Sequence, residues 1–349
     1  MAQQDLERRP DPTEAPGPVT RWALWAQDHR ETLRRVGLGF SFVIIAVSTL
    51  IFGRIILVID PARFEAAFAA IGFDQLALSM GLACVSYLAL TGYDGLALRH
   101  LHIRVPYRLT ALASFTSYSI SFTLGFPLVT GGAVRYWLYS QAGLSAGKVA
   151  SLTVVAGITF WLGMGMVLGA GFLFDAREIG EINHLASWAN QAIGLGLFGV
   201  LIAYLVWVTR MRRRGGGLFR KFKLPGAVLT LGQTALGVID VCAAAGALYA
   251  LLPKGHALGY LAFCALYSFG AMLGIASHSP GGLGVFEATM LKGVGGDSDQ
   301  LLASLLMFRA IYYLIPFVLA LALLGANEAI RRWRSLREAM STTDLNGGD

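Results

Sequence analysis

Five ionisable side chains inside long apolar stretches of this sequence are candidates for a buried polar site. Arg135 and Arg309 carry guanidinium groups, and Asp94, Asp240 and Glu287 carry carboxylates. A charged side chain at the centre of a bilayer costs a few kcal/mol even on lenient insertion scales. A guanidinium binds a phosphate through parallel hydrogen bonds, and a carboxylate binds an ammonium. These groups predict a polar site for a ligand of mixed charge, and they leave open a set of structural ion pairs that hold a helix bundle together.

Tyrosines accompany these charges. In RAIYYLIPFVLAL (309–321), Tyr313 is four residues after Arg309 on the same helical face, and Pro316 frees a backbone carbonyl near Tyr312. Amphipathic rings of this kind suit the wall of a polar site within a membrane. The predicted wall residues are Tyr139, Tyr312 and Tyr313, with Tyr93 and Asp94 as secondary candidates.

Two segments rich in glycine and proline interrupt the apolar pattern. GFPLVTGGAVR (125–135) and HSPGGLGVFEATML (278–291) each precede or contain one of the charges. Broken helices are stable at membrane depth only where protein or a polar cavity covers the free backbone groups, and transporters present such helix ends to substrates. The alternative is a glycine-rich turn between packed helices. The predicted breaks that line a cavity are Gly131, Gly132, Pro280, Gly281, Gly282 and Gly284.

Composition indicates that the solvent of this chain is a lipid bilayer. Its 349 residues are 55% hydrophobic and 14% charged, and the mean hydropathy is +0.59, values that exclude a soluble domain with a wetted surface. Apolar runs predict membrane-spanning helices at 36–59, 74–98, 147–174, 186–209, 225–252, 257–277 and 300–326. The predicted fold class is all-α, a polytopic bundle with about eight crossings plus re-entrant or broken helices at 109–146 and 279–296.

Basic and acidic loops predict the orientation of the chain. The segments 99–108, 210–223 and 331–337 are basic, whereas 175–184 and 295–300 are acidic or neutral. Short basic loops stay in the cytoplasm, so we expect both termini inside, region 109–146 to make no net crossing and region 279–296 to cross once. The predicted divisions are a polar cytoplasmic arm at 1–35, a transmembrane domain at 36–330 and a polar cytoplasmic tail at 331–349.

Motifs of soluble enzymes are missing from the sequence. It contains no H-E-x-x-H metal motif, no phosphate-binding Walker loop and no G-x-S-x-G nucleophile motif. Its three cysteines lie in separate apolar runs without paired spacing, which argues against a disulfide or a metal site. We therefore expect no metal, no cofactor, no catalytic residue and no nucleic-acid partner. Because there is no nucleotide site, any transport by this chain must be downhill or ion-coupled.

Four motifs, in this order, resemble the membrane domain of the bacterial lysylphosphatidylglycerol synthetase and flippase family, the multiple peptide resistance factors. They are YDGLALR (93–99), GGAVRYWLYSQAGL (131–144), SPGGLGVFEATML (279–291) and RAIYYLIPFVLAL (309–321). In that family this domain is taken to move aminoacylated phosphatidylglycerol to the outer leaflet, which lowers surface negative charge and admits fewer cationic peptides. The family's synthetases continue into a cytosolic synthase domain that this sequence lacks, so we expect no lysyltransferase activity here.

The resemblance implies an inner-membrane flippase whose substrate is a phospholipid such as lysyl-phosphatidylglycerol. Further expected contacts are anionic headgroups at the basic cytoplasmic loops; a separate synthase partner and a homo-oligomer stay open. The alternative function is a non-catalytic membrane subunit or scaffold of an enzyme that modifies lipids by aminoacyl or glycosyl transfer. For the flippase, we expect Arg135 and Glu287 to line one cavity near mid-membrane, and Asp240 and Arg309 to face the bundle interior.

Overall fold

The structure is a computed structural model that describes residues 62, 65, 69 and 71–346, apart from 126, 215–226, 254–257, 278–279 and 297. Every regular element in these ranges is helical, which confirms the predicted all-α class for this part of the chain. The helices are α1 (Phe73–His100), α2 (Tyr107–Leu124), α3 (Pro127–Ser140), α4 (Ala146–Phe174), α5 (Ala176–Asn183), α6 (Ser187–Arg214), α7 (Ala227–Tyr249), α8 (Tyr260–Ala276), α9 (Val285–Val294), α10 (Ser298–Phe308) and α11 (Ile315–Asn346). A 3₁₀ turn (Pro280–Gly282) precedes α9, and a π-helical segment (Arg309–Leu314) joins α10 to α11.

The chain is a multi-pass membrane protein. Within the described ranges, 5 helices are long and apolar enough to cross a membrane: α1, α4, α6, α7 and the continuous helix Asp299–Trp333. Only 11% of the apolar window of α6 is buried in the protein, and a surface this apolar is stable against hydrocarbon. The predicted arm at 1–35 and the predicted span at 36–59 lie outside the described residues, and α11 continues through most of the predicted tail.

Helices α2 and α3 form an antiparallel hairpin whose turn lies at Gly125. Gly125 has a φ of 81°, in the left-handed region that favours glycine, and it ends α2. Pro127 begins α3, where its missing N–H would have no helical partner in any case. The broken helix predicted in 109–146 is therefore confirmed.

The position of this break differs from the prediction. Gly131 and Gly132 are not at the break, because both lie inside α3. Proline is tolerated in the first turn of a helix, so Pro127 marks the start of α3 rather than an interruption within it. Gly131 instead brings α3 close to α2, since a Cβ there would lie 3.5 Å from the Ser121 hydroxyl.

Helices α8 and α9 form a second antiparallel hairpin, with Pro280–Gly282 at its tip. A Cβ on Gly270 of α8 would lie 3.3 Å from the Phe286 ring of α9, which sets the register of the two helices. Helix α9 has 10 residues, a rise of about 15 Å, and the hydrocarbon core is about 30 Å thick. The predicted break in 279–296 is confirmed, but α9 is too short for the expected full crossing, so α8 and α9 are the long and short arms of one hairpin.

Contacts between loops and helix ends define two ends of the bundle. The backbone N–H of Gly259 donates to Glu178 in α5 (2.8 Å), the Gln75 amide of α1 donates to Ala250 (2.9 Å), and the Ser304 hydroxyl donates to Leu251 (2.7 Å). We call this the acidic end. The basic end is the opposite one, formed by 101–106, 141–145 and the last turns of α6 and Asp299–Trp333. The sequence grouped its basic and acidic segments in the same way.

The two hairpins enter the bundle from opposite ends. The first half of the bundle consists of α1, the hairpin α2–α3 and α4, and its chain starts at the acidic end. The second half consists of α7, the hairpin α8–α9 and the helix Asp299–Trp333, and its chain starts at the basic end. Two similar halves that run in opposite directions are the arrangement found in many secondary transporters, where substrates bind between the halves.

Close packing of α1, α4 and α7 forms the centre of the bundle. Gly163 of α4 and Gly237 of α7 meet backbone against backbone, so that a Cβ on either residue would overlap the other. Small residues at such crossings let membrane helices approach closely. Gly163 and Gly237 therefore serve close packing of α4 against α7 within the chain.

Candidate functional site

The first buried charge pair joins α1 to the first hairpin. Arg135 Nε lies 3.0 and 3.2 Å from the two carboxylate oxygens of Asp94, and Nη2 lies 2.9 Å from one of them. The side chains are 3% and 0% exposed. The Tyr139 hydroxyl donates to Asp94 (3.0 Å), and the guanidinium carbon lies 4.6 Å from the centroid of the Tyr118 ring. The carboxylate is thus saturated, whereas Nη1 of Arg135 lies outside the pair.

Asp240 of α7 is buried among hydroxyl groups. Its Oδ1 accepts a hydrogen bond from Ser86 (2.5 Å) and its Oδ2 accepts one from Tyr93 (2.8 Å). Ser86 Oγ also lies 2.6 Å from the Tyr312 hydroxyl, with either atom as the donor. Among the residues that the structure describes, no Arg, Lys or His forms an ion pair with Asp240. Asp240 therefore differs from Asp94, whose charge is neutralised.

A second ion pair holds the tip of the second hairpin. Arg309 Nε donates to Glu287 (2.7 Å) and Nη1 donates to the carbonyl of Gly281 (2.6 Å). The other carboxylate oxygen of Glu287 accepts from the backbone N–H of Gly284 (2.7 Å), which caps the start of α9. The guanidinium carbon of Arg309 lies 4.7 Å from the centroid of the Tyr313 ring. The predicted shared face of Arg309 and Tyr313 is therefore confirmed.

The tips of the two hairpins meet inside the bundle. A Cβ on Gly281 would lie 3.3 Å from the carbonyl of Phe122 and 3.1 Å from Arg309 Nη1. Gly281 itself has a φ of 58°, which an L side chain rarely adopts. Both the space and the backbone conformation therefore favour glycine at this contact.

A cavity of about 420 Å³ lies between the two hairpins, α4 and α7. Aromatic and apolar side chains form most of its wall, and Arg135 and Asp240 are its two ionisable residues of opposite charge. Leu128, Val129 and Trp161 also line it and are exposed on the surface of the bundle (63%, 61% and 48%). The cavity thus reaches the apolar side of the bundle, where lipid chains would lie.

The structure brings some of the predicted site residues together and separates others. The cavity wall contains Arg135, Asp240, Gly281, Gly282, Tyr312 and Tyr313. Tyr139 and Tyr93 are buried behind it, bonded to Asp94 and Asp240. Gly131, Gly132 and Gly284 do not line the cavity, nor do Arg309 and Glu287. Glu287 does not share the cavity with Arg135 as expected, because Arg309 and the Gly284 N–H hold its carboxylate at the start of α9.

Of the two partners of Asp240, Ser86 is not among the residues predicted from the sequence, whereas Tyr93 is predicted as a secondary candidate. Ser86 and Tyr93 lie on a buried polar face of α1 that repeats every seventh residue and also contains Ser79 and His100. Residues spaced by seven lie on one face of a helix. This seven-residue repeat is the signal in the sequence that could have predicted a buried polar face on α1. Tyr118 and Thr153, which also line the cavity, carry no comparable signal in the sequence.

Known proteins are similar in sequence to this chain over most of its length. Residues 41–320 match the family described as the lysylphosphatidylglycerol synthase TM region. The uncharacterized protein slr0712 of Synechocystis sp. is 35% identical over 276 residues, which are 78% of this chain and 85% of that protein. The inner membrane protein YbhN of Escherichia coli is 28% identical over 255 residues, 71% of this chain and 79% of that protein. The phosphatidylglycerol lysyltransferase of Staphylococcus aureus is 24% identical over 245 residues, which are 68% of this chain but 28% of that protein.

Proposed function

Because the chain belongs to the family of the lysylphosphatidylglycerol synthase TM region, we propose that it is a phospholipid translocase of the bacterial inner membrane. The observation that carries this proposal is the cavity between the two hairpins, with buried Arg135 and Asp240 in its wall and an apolar opening at Leu128, Val129 and Trp161. A phospholipid has the matching parts, since its headgroup is charged and its chains can stay in the bilayer. The two hairpins are re-entrant in this proposal, and their tips meet near mid-membrane.

The charges of the cavity favour a headgroup that carries both signs. Arg135 would bind the phosphodiester through its Nη1 side, which the pair with Asp94 leaves out, and Asp240 would bind an ammonium. An aminoacylated phosphatidylglycerol such as lysyl-phosphatidylglycerol offers these groups, whereas phosphatidylglycerol offers only the phosphate. Tyr312 and Tyr313 also line the cavity. Glu287 and Arg309 then act on the substrate through the tip of the second hairpin.

The orientation of the proposed translocase follows from charge. With the basic end in the cytoplasm, both termini are cytoplasmic and the basic loops lie against anionic headgroups. Movement of a cationic lipid toward the acidic end lowers the negative charge of the outer leaflet, and this would contribute to resistance against cationic antimicrobial peptides.

A membrane scaffold for a lipid-modifying enzyme is the second candidate. The two closed pairs, Asp94 with Arg135 and Glu287 with Arg309, favour it, since a scaffold needs its charges neutralised. A scaffold needs no cavity that opens toward lipid, however, and the two functions predict opposite results in the following experiment.

Leaflet-resolved labelling tests the proposal directly. The full chain is reconstituted into vesicles of phosphatidylglycerol and phosphatidylcholine, which carry no primary amine, with lysyl-phosphatidylglycerol on the inside. An impermeant amine reagent reports the amount that reaches the outer leaflet. We expect much faster exposure than in protein-free vesicles, and a parallel arm with labelled phosphatidylglycerol measures headgroup preference. Equal rates with and without protein, for both lipids, would support the scaffold instead.

A further inference from the structure

We propose that Asp240 is a proton-binding site, and that the arrival of a lipid ammonium in the cavity drives its proton out toward the basic end. This inference rests on the proposed function, and it adds an exchange of one cation for another. The buried carboxyl group of Asp240 lines the cavity and has no ion-pair partner among the described residues. Because a buried, unpaired carboxylate is unfavourable, this group needs either a proton or a bound cation.

The hydrogen-bond chain at Asp240 accommodates both protonation states. Ser86 Oγ stands between Asp240 Oδ1 (2.5 Å) and the Tyr312 hydroxyl (2.6 Å). With Asp240 ionised, Tyr312 donates to Ser86 and Ser86 donates to the carboxylate. With Asp240 protonated, the carboxyl O–H donates to Ser86, which donates to Tyr312. Each hydroxyl is both donor and acceptor, so the proton can leave or return without breaking the chain of contacts.

Within the described ranges, the neighbours of Asp240 do not supply a competing positive charge. The groups within electrostatic range come from four packed helices and from its own helix, and they are Tyr87, Tyr93, Tyr118, Tyr267, Tyr312 and Cys242. Arg135 shares the cavity wall with Asp240, and its charge is compensated by Asp94, with which it is paired. A cation in the cavity would therefore find Asp240 as its counter-charge.

A buried polar stripe connects Asp240 to the basic end. Helices α1 and α7 are antiparallel, since Gly92 contacts Leu236 and Gly232 contacts Leu96. This register places Gln233, seven residues before Asp240 on the same face of α7, between Tyr93 and His100 of α1. Gln233 is fully buried, and neither its amide nitrogen nor its amide oxygen has a hydrogen-bond partner among the residues that the structure describes.

Unsatisfied amide groups of this kind mark a place for water. Water at Gln233 would bridge the Tyr93 hydroxyl, which binds Asp240, and His100 at the last turn of α1. The exchange is then balanced: the carboxyl O–H bond breaks, the proton passes through this stripe to the solvent at the basic end, and the carboxylate pairs with the ammonium. No oxidant, nucleotide or metal is required.

The test combines infrared spectroscopy with proton release from the full chain in detergent. We expect a protonated carboxyl band that is missing in Asp240→Asn, and we expect lysyl-phosphatidylglycerol, but not phosphatidylglycerol, to abolish it. A pH-sensitive dye in weak buffer should then record about one proton released per protein. Native mass spectrometry measures lipid binding in the same samples.

A substitution on the polar stripe tests the route. Gln233→Leu keeps the volume and removes the orphaned amide, so we expect lipid binding as in the wild type but proton release slowed roughly tenfold. Ser79→Ala is the matched control. Ser79 lies on the same face of α1 as Ser86 and Tyr93 but toward the acidic end, and it is also fully buried without a hydrogen-bond partner in the described part of the chain. Release at the wild-type rate in Gln233→Leu would overturn the route.

The outcomes separate this inference from the proposed function. Absence of a carboxyl band assigned to Asp240 would overturn the proton site and leave lipid translocation untouched. A band that persists while lysyl-phosphatidylglycerol binds would overturn the exchange alone. Failure of that lipid to bind the wild type would overturn the substrate assignment and, with it, the exchange.

Discussion

The two buried ion pairs differ in what surrounds them. Arg135 and Asp94 join two separate elements and are 3% and 0% exposed, whereas Arg309 and Glu287 are 15% and 17% exposed. The first pair uses both carboxylate oxygens for Arg135, while the second spends one oxygen on the Gly284 N–H and one guanidinium nitrogen on the Gly281 carbonyl. The first pair therefore neutralises the charge of Arg135 in the cavity wall. The second pair holds the backbone conformation at the tip of the hairpin α8–α9.

This difference predicts unequal costs when a partner is removed. A fully buried charge that loses its partner leaves an uncompensated charge in a low-dielectric interior. A partly exposed charge can recover some hydration, so its loss is smaller. Variants of the two pairs should thus differ in stability and also in whether the effect can be rescued.

The largest effect is expected for Arg135→Leu. This change leaves Asp94 buried with only the Tyr139 hydroxyl as a partner, and we expect the free energy of unfolding to fall by about 3–5 kcal/mol. Thermal unfolding of the purified protein in detergent measures the loss. A loss smaller than that of Arg309→Leu would contradict the ranking of the two pairs.

The matched control for this variant is the double variant Asp94→Leu with Arg135→Leu. Replacing both members of a buried pair by apolar residues is often neutral for stability, so we expect most of the lost stability to return. Lipid translocation should stay lost, because the phosphate-binding guanidinium is gone. Recovery of both stability and transport in the double variant would show that this pair has only a structural role.

A smaller effect is expected for Arg309→Leu. The change frees Glu287, which keeps its bond to the Gly284 N–H and is partly exposed, so we expect a loss of about 1–2 kcal/mol. Transport should fall further than stability alone explains, since the Gly281 carbonyl loses its partner and the tip loosens. Hydrogen exchange at the start of α9 should rise, and unchanged exchange there would argue against a clamp.

The smallest effect is expected for Gly281→Ala, measured against Gly284→Ala. Both residues have positive φ values, 58° and 84°, so each substitution should cost about 1 kcal/mol in backbone conformation. A Cβ at Gly281 also meets Arg309 and Phe122, whereas a Cβ at Gly284 meets nothing within 4 Å. We expect the rate of transport to drop in Gly281→Ala only. An equal drop in both variants would mean that backbone strain, and not the contact with Arg309 and Phe122, causes the loss.

Local features of the fold could be predicted from the sequence because they depend on neighbouring residues. Pro316 removes the backbone donor that would bind the carbonyl of Tyr312, and the structure shows that carbonyl accepting a hydrogen bond from the Tyr87 hydroxyl (3.0 Å). Gly281 similarly lies at a real break, with a positive φ.

Partners across the bundle could not be predicted, since they depend on how distant helices pack. Arg135 pairs with Asp94, which precedes it by 41 residues, and Asp240 binds Ser86, which precedes it by 154. The sequence contains the charges but not the register between helices that assigns them. For the same reason the prediction from the sequence placed Glu287 in the cavity. In the structure, the Glu287 carboxylate is bound by the Gly284 N–H at the start of α9 and by Arg309.

Filling the cavity tests the account most directly. Gly157 lines the cavity, and a Cβ there meets no described atom within 4 Å. Gly165 on the same helix is equally unobstructed by the described residues but does not line the cavity. Gly157→Phe should therefore reduce the rate of lysyl-phosphatidylglycerol translocation in vesicles at least about tenfold, with Gly165→Phe near the wild-type rate and both proteins folded. Equal rates for the two variants would contradict a lipid path through this cavity.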